Sequence, residues 1–151
     1  MFVGRRSQLD WAPPMVDREI LEQRTAHVLH HISRLRARRD IDAARLRSDE
    51  DLWNILLMDL QQAIQGCIDL ATHVCVDEQL GSPTSAGEAF ALLARAGRVS
   101  DALATKLTGA AGLRNLIVHQ YAVLDADIIV SIIQTDLGDL EAFLRAASGM
   151  A

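Results

Sequence analysis

Between Asp49 and Glu78, the residues Trp53, Leu56, Leu60, Ile64, Cys67, Ile68, Ala71 and Val74 recur at helical spacing. A strand would send alternate members of this set to opposite faces, whereas an α-helix gathers them into one apolar stripe. The chain is therefore predicted to be built round one long amphipathic helix. Gly81-Ser82-Pro83 stops it. Such a helix buries its stripe only against other helices or a sheet, and the rest of the chain supplies helices.

A first helix is predicted from about Asp17 to Arg38, with Ile20, Leu21, Val28, Ile32 and Leu35 at helical spacing and acids at its positive end. The Arg- and Asp-rich stretch 36–48 reads as a loop or a solvated helical extension. Ser85 caps a short third helix, with Glu88 completing a capping box; Phe90, Leu92 and Leu93 are its apolar side and Gly97 its end. Ser100 caps a fourth helix reaching His119. Asp125 or Asp127 opens a fifth, in which Ile129, Ile132, Ile133, Leu137, Leu140 and Leu144 face inward. Residues 128–133 have strand propensity, but the helical period continues through Leu144 and sets the reading as helix. The expected fold is all-α: an up-and-down antiparallel bundle of about five helices, one domain over residues 15–147 behind a poorly ordered lead of residues 1–14.

Composition narrows the function. Half of the chain is apolar, which excludes wholesale disorder. No stretch approaches the ~18 uncharged apolar residues of a membrane span, and the opening residues lack a signal-like apolar run, so a cytoplasmic protein is expected. The net charge of −5 divides into +4 over residues 1–47 and −9 over the remainder. A globally acidic chain binds polyanions only through local sites. Cys67 and Cys75 lie about 12 Å apart along one helix, too far for a mutual disulfide, and read as buried apolar groups.

The chemistry sits in Gly112-Leu113-Arg114-Asn115-Leu116-Ile117-Val118-His119-Gln120-Tyr121. A guanidinium grips phosphate through a planar fork, and an imidazole moves protons near neutral pH. Together they suffice to cleave RNA by internal attack: a base removes the ribose 2′-OH proton and a cation stabilises charge on the phosphorus centre, with no metal required. The same residues also fit a plainer role, capping carbonyls at a helix end. Arg114 and His119 stand 140° apart round an ideal helix at 100° per residue, whereas Asn115 and His119 share a face. A working site thus needs a loosened helix, a sweeping Arg side chain, or a second copy of the chain.

Arg114-Asn115-x3-His119-x-Tyr121, with Asp125 at the next helix start, resembles the R-x4–6-H signature of HEPN domains, in the form found in HepT-like toxins of the HepT/MntA type. Ala63-Ile64-Gln65 through Ile68-Asp69-Leu70-Ala71-Thr72-His73, and Pro83-Thr84-Ser85 leading to Phe90-Ala91-Leu92-Leu93, are similar to the same family in the same order. The resemblance covers roughly residues 50–145. It implies a homodimeric helical bundle whose paired motifs face one cleft, acting as a metal-independent endoribonuclease toxin without a cofactor. Arg114 and His119 are then catalytic and Asn115 supporting. The implied partners are RNA and a minimal nucleotidyltransferase antitoxin that attaches AMP to Tyr121. The alternative is a non-catalytic HEPN module that dimerises and holds the nucleotidyltransferase. Leu113 departs from the family by standing where an aromatic residue is common.

Three further groups carry weaker signals. His27 and His31 have an i, i+4 spacing that zinc can use, but no third ligand, and no metal is expected. Asp69 and His73 share a helix face. Arg34, Arg36, Arg38, Arg39, Arg45 and Arg47 fit either a contact with RNA backbone or an acidic partner, or a solvated loop with Asp40, Asp42 and Asp49 nearby.

Overall fold

The computed structural model describes residues 14–120 and 123–150, and every regular element among them is a helix. These are α1 (Pro14–Ala37), α2 (Ala43–Ser48), α3 (Glu50–Asp77), α4 (Ala86–Arg95), α5 (Asp101–Gln120), α6 (Ala126–Thr135) and α7 (Leu137–Ser148). The expected all-α bundle is what forms; residues 1–13 of the expected lead lie outside the described residues.

The long stripe makes α3 the central helix. Leu56, Leu60, Ala63, Ile64, Cys67, Leu70, Ala71 and Val74 are buried, and α3 packs against α1, α2, α4, α5 and α7. Helix α1 runs antiparallel along it. Arg24 meets Asp69, Val28 meets Gly66 and Arg34 meets Asp59, so contacts ascend one helix as they descend the other. At the Val28–Gly66 crossing a Cβ on residue 66 would lie 2.3 Å from Val28 Cγ2, so glycine is what lets the two helices approach. Phe90 of α4 and Phe143 of α7 meet edge to face with ring centroids 5.6 Å apart, closing the core on the other side.

The caps read from sequence are made. Ser85 Oγ accepts from Glu88 N at 3.1 Å, and Glu88 reaches back to Thr84 N at 2.9 Å. Ser100 Oγ accepts from Leu103 N at 3.1 Å, and Asp125 Oδ1 from Asp127 N at 2.9 Å. Gly97, at φ +74, lets Arg98 N return to Leu93 O at 2.9 Å and ends α4.

Two segments differ from expectation in detail. The predicted fifth helix is broken at Asp136. There the Thr135 hydroxyl donates to Ser131 O at 2.7 Å and to Asp136 Oδ1 at 3.0 Å, and Gly138 follows; this local bonding competes with a continuous helix. The stretch 36–48 is neither a plain loop nor an extension of α1. It turns and forms α2, which Asp42 caps through Arg45 N at 2.7 Å and which buries Leu46.

Candidate functional site

The last turns of α5 carry Arg114, Asn115 and His119. Arg114 is half-buried because its side chain turns inward towards α3. Its Nη1 donates to the amide oxygen of Gln65, and its Nε donates to Asn115 Oδ1 at 3.0 Å. Gln65 in turn donates through Nε2 to Asp69 Oδ1 at 2.9 Å, and the other oxygen of Asp69 lies 3.8 Å from Arg24 Nη1. A file of polar side chains thus crosses from α5 over α3 to α1.

The electrostatics of Arg114 differ from those of the six arginines that are ion-paired among the described residues. Arg24, Arg34, Arg36, Arg45, Arg47 and Arg98 each pair with a carboxylate. Arg114 is held instead by two neutral amide oxygens, so its positive charge is left uncompensated by those contacts. A guanidinium has five N–H donors. Among the described residues two are engaged, leaving one on Nη1 and the pair on Nη2. That free edge has the fork geometry that grips two oxygens of one phosphate.

His119 is exposed near the end of α5, and no hydrogen bond among the described residues joins it to Arg114. Within one chain the structure therefore brings Arg114 to Asn115 and Gln65. Asn115 serves Arg114 here rather than the imidazole. Tyr121 lies outside the described residues. A cavity of about 350 Å³ opens beside Leu113, lined also by Leu60, Ile64, Gly109 and Leu140.

The weaker candidates resolve into structure. His27 Nε2 is 3.1 Å from Gln62 Oε1, while His31 Nδ1 is 2.7 Å from Asp59 Oδ1, so the i, i+4 pair faces two separate partners on α3. Asp69 meets Gln65 and Arg24 rather than His73. In the Arg-rich stretch, Arg34 binds Asp59, Arg36 binds Glu141, Arg45 binds Asp49, and Arg47 binds Asp127 at 2.7 Å. These four strap the bundle together or cap it, which favours the reading as a face neutralised by nearby acids.

Gln65 and Asp59 were not assigned roles from sequence. Asp59 is fully buried, with His31 and Arg34 both on its Oδ1. The available signal was an acid set inside an apolar stripe, beside Leu60. Burial also pushes the Cys67 thiol up to about 12 and raises that of Cys75, so neither thiol is poised as a nucleophile.

Comparison with known proteins places this arrangement. The family model described as ribonuclease HepT-like matches residues 28–147. The chain belongs to the HepT-like ribonuclease family. It is 36% identical over 103 residues to the mRNA nuclease HepT of Shewanella oneidensis, covering 68% of this chain and 77% of that protein. A toxin–antitoxin crystal structure with AMP-PNP superposes with a TM-score of 0.78 at 31% identity, covering 85% of this chain and 97% of that one. The tri-AMPylated Shewanella oneidensis HEPN toxin in complex with its MNT antitoxin superposes at 0.77 with 32% identity, covering 84% and 95%. The HepT-like fold thus extends over most of the chain, with Arg114 and His119 inside the matched region. Among the described residues, no helix is long and apolar enough to cross a membrane.

Proposed function

We propose that this HepT-like chain is an endoribonuclease toxin that cuts RNA without a metal ion, works as a homodimer, and is silenced when a nucleotidyltransferase antitoxin attaches AMP to Tyr121. The observation that carries the reading is the environment of Arg114: a half-buried cation fixed by neutral acceptors, with a free N–H edge. This is a receptor for a phosphodiester, since an ion-paired arginine would have to give up its carboxylate first. Its relatives, an mRNA nuclease and an AMPylated toxin bound to an MNT antitoxin, support the same reading.

In this mechanism Arg114 binds the scissile phosphate through Nη1 and Nη2. His119 takes the proton from the ribose 2′-OH, whose oxygen attacks phosphorus. The bond to the 5′ oxygen breaks and that oxygen takes up a proton, leaving a 2′,3′-cyclic phosphate and a 5′-OH. Since the two groups diverge on one helix, the imidazole nearest a given Arg114 comes from a cleft shared by two chains. The exposed face of α5 suits that assembly. Thr105, Gly109, Gly112, Leu116 and His119 lie along one narrow stripe, and neither glycine has an atom within 4 Å of where a Cβ would stand. Glycine inside an exposed helix costs about 1 kcal/mol against alanine, a cost offset where another backbone packs on it. The substrate and the antitoxin put this activity in the cytoplasm.

Purified protein incubated with RNA in EDTA tests the reading. His119→Ala and Arg114→Ala should each lose about 10²-fold or more in rate, the scale for removing an acid–base group or a charge stabiliser. Equal cleavage of a substrate lacking the 2′-OH, or a strict need for added metal, refutes the mechanism. Absence of cleavage together with tight binding of the nucleotidyltransferase favours the non-catalytic module.

A further inference from the structure

Gln65 is separated from Arg114 by 49 residues, yet its amide oxygen is what meets the guanidinium. An amide has one accepting end and one donating end, so what fixes its orientation matters. Asp69, one helical turn along α3, decides it. The carboxylate only accepts hydrogen bonds, and its Oδ1 lies 2.9 Å from Gln65 Nε2. Turning the amide over would set its oxygen against a carboxylate and its NH2 against a guanidinium, two repulsive contacts in place of two hydrogen bonds. Asp69 is itself drawn towards α1 by Arg24 at 3.8 Å.

We propose that Gln65 is a positioning residue for Arg114, aligned by Asp69, and that its neutrality is what leaves the guanidinium free to take a phosphate. This rests on the reading of Arg114 as the phosphate-binding group. A glutamate of the same length would hold Arg114 as firmly, but as an ion pair competing with the incoming phosphate. A glutamine holds it in place and leaves the charge uncompensated. The polar file therefore separates two tasks: the carboxylate that orients the network sits one residue away from the guanidinium in the chain of hydrogen bonds, and a neutral amide makes the contact.

The test compares full-length Gln65→Glu, Gln65→Met and Asp69→Asn with the parent, by thermal unfolding and by RNA-cleavage kinetics over a range of RNA concentrations. Gln65→Glu should raise KM for RNA about tenfold, because the substrate must now displace an ion pair. Gln65→Met should lower kcat about tenfold or more through loss of alignment, since displacements near 1 Å cost up to about 10²-fold. Asp69→Asn should show a smaller loss of the same kind. A merely structural role would lower the unfolding temperature and leave kcat and KM of the folded protein unchanged. Gln65→Met and Gln65→Glu variants that fold and keep the parent's kcat and KM overturn the proposal. A readout independent of activity separates this from failure of the ribonuclease reading. The Arg114 Nη–Hη NMR cross-peaks, assigned by their loss in Arg114→Ala, should shift and exchange faster with water in Gln65→Met. Unchanged cross-peaks overturn the positioning role whether or not the protein cleaves RNA.

Discussion

Substituting Gly66 with alanine tests how the two longest antiparallel helices are held. An added Cβ would lie 2.3 Å from Val28 Cγ2, against an ordinary carbon–carbon contact of about 3.5–4.0 Å. One of the two must give by more than about 1 Å. Val28 is fully buried and β-branched, so in a helix its side chain has essentially one rotamer and cannot swing away. The helices cannot simply part either, because Arg24–Asp69 and His31–Asp59 tie α1 to α3 on the two sides of the crossing. Overpacking of this kind costs about 1–3 kcal/mol, and replacing glycine by alanine inside a helix returns about 1 kcal/mol. With a clash of more than about 1 Å the upper part of that range, about 2–3 kcal/mol, applies, so the net loss should be about 1–2 kcal/mol, or roughly 2–8 °C in Tm at this chain length. Urea denaturation followed by far-UV circular dichroism measures it, at fixed protein concentration because dimerisation would make stability concentration-dependent. In the double variant Val28→Ala, Gly66→Ala the two changes should be coupled, the pair costing about 1 kcal/mol less than their sum. Gly66→Ala with unchanged or increased stability, or strict additivity in the double variant, refutes the reasoning.

Three other outcomes are expected. Asp59→Ala strands His31 and Arg34 without their buried acceptor and should cost about 3–5 kcal/mol in urea unfolding; a loss below about 1 kcal/mol would mean that the cluster is not what secures α1. Cys67 keeps its proton in the folded chain up to about pH 12, whereas an exposed thiol has an ordinary value of 9.0, so the folded state loses stability as pH rises from about 9 towards 12. Iodoacetamide labelling of Cys67 at pH 8.5 should therefore run only as fast as the protein opens, and rapid labelling of the folded chain would contradict this. Tyr121→Phe should keep ribonuclease activity yet escape silencing by the cognate nucleotidyltransferase and ATP, with no gain in mass; a phenylalanine variant silenced as readily as the parent defeats the control mechanism.

The local layer of the protein was legible residue by residue. Trp53 to Val74 carry their helix in the spacing, and Ser85, Ser100 and Asp125 mark helix starts because a cap is a bond between near neighbours in sequence. Membership of the HepT-like family was legible for a different reason: Arg114, Asn115, His119 and Tyr121 form a compact pattern that resembles that family. The break at Asp136 was only half visible, since the apolar period runs straight through it while Thr135 and Gly138 oppose a continuous helix.

What the sequence by itself determined, then, is everything set by periodicity and by bonds within a turn or two: the helical class, the element order, the buried stripe and the position of Arg114, Asn115 and His119 along α5. Pairing across the bundle was decided only in three dimensions. That Asp59 lies buried between His31 and Arg34, that Arg36 and Arg47 spend their charge on Glu141 and Asp127, and that Gln65 meets Arg114 all depend on which helix faces which. The physical reason is that an apolar stripe fixes which side of a helix turns inward but is nearly indifferent to which apolar stripe it meets, whereas a hydrogen bond or an ion pair needs one particular partner within about 3–4 Å.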